Sequence, residues 1–414
     1  MRLKPIPRML LRVCIGWSII EFRRACRAGA FPRQTRPCRE PRGVKPEEGG
    51  KFMNGKERIV CALSLGCPDT VPVWELAFNE ESIIKLARRF MDERELPPAK
   101  NVVDMSEREV LQLVNAFRVM GENLGLDGLT ATSSAPRQRI DGEHYRDGWG
   151  VVYHQSDKGE PYPVQGPIRE PSDLKHFAMR MPEESDFIMI DLMKANFPDR
   201  AVAYILNGPF YMSRCLRGSL ENLLMDYILN PGLAADLARI CTDHNLAALE
   251  IIAKKGADFV VSDCDLAFNH STMMSPDQYD RFLHPYHQEI VKRGHELGIK
   301  MVKHTDGKIQ PLIPRFIAEG FDGLHPLQPQ CLEIKWVKQE YGKRICLMGN
   351  IDCMYLLVFG TAEEVRRKVK ETIAAAAPGG GYIISSSNTL HPGVKPENYM
   401  AMVRAAREFG KYPD

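Results

Sequence analysis

After Val71 the chain switches repeatedly between two hydrophobic periods. Short runs rich in β-branched and aromatic residues alternate with longer stretches in which apolar residues recur every three or four positions. The short runs are 71–75, 128–133, 201–207, 258–263, 300–304, 323–327, 345–349 and 382–386. Most are continuously apolar, which predicts strands buried on both faces. Between them, 233–255 reads as a long helix, and Ser275-Pro276 supplies a cap and first-turn proline for a helix over 279–297. Thr361 and Glu364 have capping-box spacing ahead of a helix running towards Ala377. Eight strands alternating with helices over about 340 residues predict a (β/α)8 TIM barrel. An open doubly wound sheet is the runner-up, but no G-x-G-x-x-G follows the first strand and no G-x-x-x-x-G-K-[ST] occurs. One segment breaks the alternation. Residues 141–168 place Trp149, Val151, Val152 and Tyr153 among Gly, Asp and Pro, and are expected to form a β-hairpin inserted after the second strand, as a roof over the barrel mouth or a surface excursion.

Charge divides the chain. Residues 1–52 carry 13 Lys/Arg against 4 Asp/Glu, which leaves −7 for the remainder of a chain whose total is +2. An acidic body does not suit a nucleic-acid-binding face. The basic head could be an organelle transit peptide, a tail for an acidic partner, or sequence translated ahead of an initiator at Met53. The last is preferred, because 53–58 opens directly into an amphipathic segment, and 53–414 is then expected to be the barrel domain. The 11 cysteines form no C-x-x-C pair, consistent with reduced thiols in a cytoplasmic protein. No apolar run approaches the ~20 residues of a membrane span, and 9–20, interrupted by Arg12, lacks a signal-peptide cleavage site.

In a barrel of this type the chemistry sits where strands end. Reading off those ends gives Glu75, Asn207, Asp263, Asp265, His304, Asp306, His325, Asn350, Asp352, Asn388 and His391. Taken singly, an Asp after a strand is most often a helix cap; a polar residue from nearly every strand points to a site. Glu75, Asp263, Asp265, His304, Asp306 and His325 are the expected catalytic set, with Trp74, Asn207, Asn350, Asp352, Asn388 and His391 lining the substrate. His304 and Asp306 stand at i and i+2, so in an extended strand they point the same way. Such a pair can share a divalent metal or act as an acid/base couple. G-x-S-x-G and H-E-x-x-H are absent, so hydrolase templates find no support.

Five stretches carry a resemblance: MNGKERIVCALSLGCPDTVPVW at 53–74, HTDGKIQPLI at 304–313, GFDGLHPLQP at 320–329, GNID at 349–352 and NTLHPGVKPENY at 388–399. In this order, over 53–412, they resemble the uroporphyrinogen-decarboxylase superfamily. That resemblance implies a distorted (β/α)8 barrel with a deep cleft and one of two chemistries. Cofactor-independent decarboxylases hold a polycarboxylate with R-Q-A-G-R after the first strand. Here Glu75-Leu76-Ala77-Phe78-Asn79 stands there, and no arginine follows until Arg88. The corrinoid-linked methyltransferases of the coenzyme M type hold zinc with H-x-C after the fifth strand and Cys after the eighth. Here His304 remains, but Asp306 and Asn388 stand where the thiolates would be, a harder and weaker donor set for zinc or another divalent metal. The resemblance thus implies a methyltransferase acting between a small methylated substrate, a methyl ether or methylamine, and a corrinoid (cobalamin). No D-x-H-x-x-G signature occurs, so the corrinoid would be carried by a partner protein. A carboxy-lyase acting on a different acid is the alternative, and a homodimer is a further expectation.

Overall fold

A computed structural model describes residues 52–155, 161–263 and 265–412; the basic head, Phe52 apart, lies outside them. The strands in chain order are β1 (Gly128–Ala131), β2 (Arg137–Arg139), β3 (His144–Asp147), β4 (Val152–His154), β5 (Tyr162–Gln165), β6 (Ala201–Asn207), β7 (Phe259–Asp263), β8 (Lys300–His304), β9 (Gly323–His325), β10 (Cys346–Met348) and β11 (Tyr382–Ile383). Seven of the eight runs expected from periodicity form one parallel sheet in the order β1-β6-β7-β8-β9-β10-β11. The eighth, 71–75, is extended without being a full strand. Val73 makes a parallel bridge to Ile384. The Trp74 N–H donates to the Ile384 carbonyl at 3.1 Å, and the Asp127 N–H, just ahead of β1, donates to the Val73 carbonyl at 2.8 Å. The sheet therefore curls until its two edges meet on either side of Val73. Asp127 secures this junction: its carboxylate accepts the Val73 N–H at 2.7 Å and is neutralised by Arg58 and Arg407.

Successive strand residues point to opposite faces, and the packing follows that period. Ala201, Ala203, Phe259, Val261, Val302, Cys346, Met348 and Ile383 fill the inside of the curl with Trp74. Ile59, Ala62 and Leu63 of the helix Gly55–Leu63 join that inner core. The alternate residues, among them Val202, Tyr204, Val260, Met301, Leu324 and Leu347, pack outward against the helices. The helix Pro231–Lys255 ends at Gly256 in the left-handed conformation, φ 78°. The single helix expected over 279–297 is two, Pro276–Phe282 and His284–Glu296. Pro285 has no N–H for the carbonyl four residues back, so the first helix cannot run on. Among the described residues no helix is long and apolar enough to cross a membrane.

The segment after β1 departs from the expected single hairpin. Strands β2 to β5 form a four-stranded antiparallel sheet. The β3–β4 turn is the part legible in sequence, with Asp147 Oδ1 accepting the N–H groups of Trp149 and Val151. The outer strands β2 and β5 expose most of their side chains and show no clean alternation. Tyr145, Val151, Tyr153 and Ile168 pack this unit onto Met212, Cys215 and Leu216, in the helix that leaves the far end of β6.

Candidate active site

Strand pairing sets four of the expected residues in one row. Asn207 is in register with Asp263, Asp263 with His304, and His304 with His325. Each is the last residue of its strand, and each has the parity that faces the inside of the curl. His304 and His325 are both buried. Their Nδ1 atoms lie 2.7 Å apart and their rings stack with centroids 5.0 Å apart. On its other side, His304 Nε2 lies 3.8 Å from Asp263 Oδ1 and 3.9 Å from Asp265 Oδ1.

Two loops complete the cluster. Asp265 Oδ1 accepts the Asp306 N–H at 2.9 Å, and Thr305 Oγ1 accepts the Leu266 N–H at 2.9 Å. The chain after β7 is thereby laced to the chain after β8. Gly307 makes the approach possible. Its φ is +88°, and a Cβ there would stand 2.6 Å from the Ala267 carbonyl oxygen. From beyond β11, Asn388 Nδ2 donates to Asp306 Oδ2 at 2.5 Å, while Asp306 Oδ1 is buried and has no hydrogen-bond partner.

Three carboxylates around one imidazole disfavour full ionisation. Burial pushes the Asp306 carboxyl up to about 7; His304 and Asn388 pull it down, while Asp265 and Asp263 push it further up. Burial raises Asp263 as well, against the pull of His304. It also holds His325 well below the usual histidine range. A divalent cation would relieve this charge. Among the described residues, Asp265, His304 and Asp306 are the group whose ligand atoms all lie within 4.8 Å of one another. With the unpartnered Asp306 Oδ1, this oxygen-rich donor set fits a hard or borderline divalent metal.

The family model for uroporphyrinogen decarboxylase (URO-D) matches residues 148–409. The chain belongs to the URO-D family. One relative is the methylated-thiol–coenzyme M methyltransferase of Methanosarcina mazei, 24% identical over 205 residues, which cover 49% of this chain and 52% of that protein. Another is the uroporphyrinogen decarboxylase of Syntrophotalea carbinolica, 23% identical over 254 residues, 59% of this chain and 71% of that one. The chain thus spans about half the length of the methyltransferase it matches. Among solved structures, a methyltransferase from Methanosarcina mazei superposes with a TM-score of 0.67 at 20% identity, over 86% of this chain and 99% of that one. At that identity the superposition speaks for the fold, an α/β architecture with a curled parallel sheet.

Not every strand-end residue of this URO-D chain joins the cluster. Glu75 has the outward parity. Its carboxylate accepts the Ser386 N–H at 2.9 Å and the Ser386 hydroxyl at 2.6 Å, and burial pushes it up to about 8. Trp74 is fully buried and meets His325 edge-to-face at 5.2 Å, supporting the site from beneath. Asp352 accepts the N–H groups of Met354 and Tyr355, which is a turn-capping arrangement. Both nitrogens of His391 are engaged by backbone, at Cys353 and Gly393. Asn350 is buried and donates to the Leu327 carbonyl. Two polar residues escaped the reading of strand ends. Gln328 joins the mouth loops by accepting the Gly307 N–H and donating to Asn269. Lys303 is fully buried on the outer face of β8, its Nζ donating to the His304 carbonyl at 2.9 Å. A lysine inside an apolar strand was the available signal for the latter.

Proposed function

We propose that this URO-D family member is a methyltransferase that moves a methyl group between a small methylated substrate, a methyl ether or methylamine, and a corrinoid carried by a separate protein. The observation that carries this reading is the Asp263–Asp265–His304–Asp306 cluster at the strand ends, set beside a first-strand segment without arginine. The nearest arginine downstream, Arg88, pairs with Glu93 on the surface, so that segment supplies no bidentate clamp for a polycarboxylate. The relative named for methyl transfer to coenzyme M supports the same branch.

Asp265, His304 and Asp306 would hold a divalent ion, zinc or another, which when bound draws electron density from the heteroatom that loses its methyl group. The chain's own residues orient this group. His304 presents Nε2 to the mouth, and Asn388 holds one oxygen of Asp306 and leaves the other available. Phe268, after β7, and Met354, Tyr355 and Phe359, after β10, are each more than half exposed, apolar side chains on the loops that leave the strand ends and open to a docking corrinoid protein.

The test is to incubate the purified protein with cob(I)alamin and a panel of methyl ethers and methylamines, following methylcobalamin by absorbance. Methyl transfer from at least one class is expected. Conversion of uroporphyrinogen to coproporphyrinogen would overturn the reading in favour of a carboxy-lyase.

A further inference from the structure

We propose that Gln328 is a positioning residue: its side-chain amide ties together the loops after β7, β8 and β9 and fixes the turn that carries Asp306. The consequence for metal binding rests on the reading above, while the positioning itself stands on the hydrogen bonds of the mouth. After His304 the chain turns with three successive N–H groups, each taken by a different acceptor. The Asp306 N–H goes to Asp265 Oδ1 at 2.9 Å, the Gly307 N–H to Gln328 Oε1 at 2.8 Å, and the Lys308 N–H to the Phe268 carbonyl at 2.9 Å. Asp265 and Phe268 both belong to the loop after β7, so of the three Gln328 alone holds the turn from the β9 side. The Gly307 N–H calls for the amide oxygen at that point, which turns Nε2 to Asn269 Oδ1 at 3.2 Å. Gln328 is itself held in place. Its carbonyl accepts the N–H groups of Cys331 and Leu332 at 2.9 and 3.0 Å. The preceding Leu327 stands at φ 55°, in the left-handed region that a leucine seldom adopts. Such a conformation persists where its surroundings dictate it. Here the Leu327 side chain is fully buried, and its carbonyl accepts Asn350 Nδ2 at 3.0 Å. Without the Gln328 oxygen, the N–H of the buried Gly307 would be left unsatisfied, and the Asp306 turn would be held from one side only.

Groups that orient a metal ligand from outside the coordination sphere typically contribute ~10–100-fold to metal affinity. The experiment has two arms on the full chain, comparing wild type, Gln328→Leu and Gln328→Glu. Leucine has no acceptor; glutamate keeps an oxygen within reach of Gly307. The first arm reads hydrogen exchange of single backbone amides without metal, by mass spectrometry with electron-transfer fragmentation. In Gln328→Leu the Gly307 amide should exchange ~5-fold faster, the size of one lost hydrogen bond. The Asp306 amide, bonded to Asp265 rather than Gln328, should speed up with it, while the β6 amides stay as in wild type. Glutamate should keep both slow. Faster exchange at Gly307 alone would show that Gln328 serves a single N–H, and equal effects of both substitutions would show that the acceptor is not what matters. Either result, or unchanged exchange, overturns the proposal. The second arm titrates Zn2+ and Mn2+. Binding should weaken ~10-fold or more in Gln328→Leu and stay at or above wild type in Gln328→Glu. Unchanged affinity in a folded leucine variant would leave the turn without bearing on the metal group and overturns the proposal as well. Should Gln328→Leu not fold, Gln328→Ser, too short to reach Gly307, takes its place. A wild type that binds neither ion defeats the metal reading, and the exchange arm then decides on Gln328 by itself.

Discussion

Asn388 donates to Oδ2 of Asp306 at 2.5 Å, across 82 positions of sequence. The amide thereby orients a carboxylate that burial has already pushed up to about 7, and leaves its other oxygen buried without a hydrogen-bond partner.

Replacing that carboxylate by a softer donor should change metal preference more than fold. In Asp306→Cys, zinc affinity measured by chelator competition should rise, because thiolate with imidazole is a better zinc site than carboxylate with imidazole. Activity on a methyl ether need not return with it. Unchanged zinc affinity would place the metal, if one binds, elsewhere.

His304→Ala removes the one imidazole that faces all three carboxylates. Turnover with a corrinoid acceptor should fall by ~10²-fold or more, with circular dichroism and cooperative unfolding preserved. Full activity would make the His304–Asp306 pair structural and shift attention to Asp263 and Asp265.

Glu75 predicts a pH dependence of stability. Its folded value of about 8 lies above the ordinary 4.5, so the folded state holds a proton that the unfolded chain releases. The corresponding stabilisation is complete below 4.5 and is lost as pH rises through 8. Glu75→Gln cannot ionise, so its melting temperature should exceed that of wild type near pH 8 to 9, by an amount on the order of a few kcal/mol in stability. The gap should close towards pH 5. A gap independent of pH would refute this account.

Arg217 ties the antiparallel sheet to the barrel. Its Nε donates to Asp226 at 2.5 Å and its Nη1 to the carbonyls of Ile168 and Arg169, and the Arg217 and Asp226 side chains are 9% and 2% exposed. Arg217→Met would strand a buried carboxylate, at a cost of about 3–5 kcal/mol in urea unfolding. A loss below about 1 kcal/mol would show that solvent or Asn230, which also donates to Asp226, compensates.

We also propose residues 53–414 as a self-sufficient folding unit. Asn54 already caps the helix Gly55–Leu63 with a reciprocal box to Glu57, and the Met53 N–H donates to Asp69 at 3.3 Å. The protein beginning at Met53 should retain its melting temperature and activity; a fall of several degrees would refute the proposal.

Sequence alone determined seven of the eight strand runs and the caps at Ser275 and Thr361, because both rest on interactions within a few residues: burial of a short apolar run, and a side chain reaching a nearby N–H. It also placed His304, Asp306, Asp263, Asp265 and His325 at strand ends. Tertiary structure decided which of the strand-end residues meet. Parallel register lines up Asn207, Asp263, His304 and His325, which no local signal encodes. Parity turned Glu75 outward to Ser386, since 71–75 enters the curl on isolated bridges with Trp74 inward. Asp352 and His391 were drawn into loop hydrogen bonds, because a polar side chain near free backbone groups satisfies those first. The four-stranded inserted sheet also needed the third dimension: its outer strands gain their order from partners and from the helix Pro209–Leu216 beneath, not from any alternation of their own.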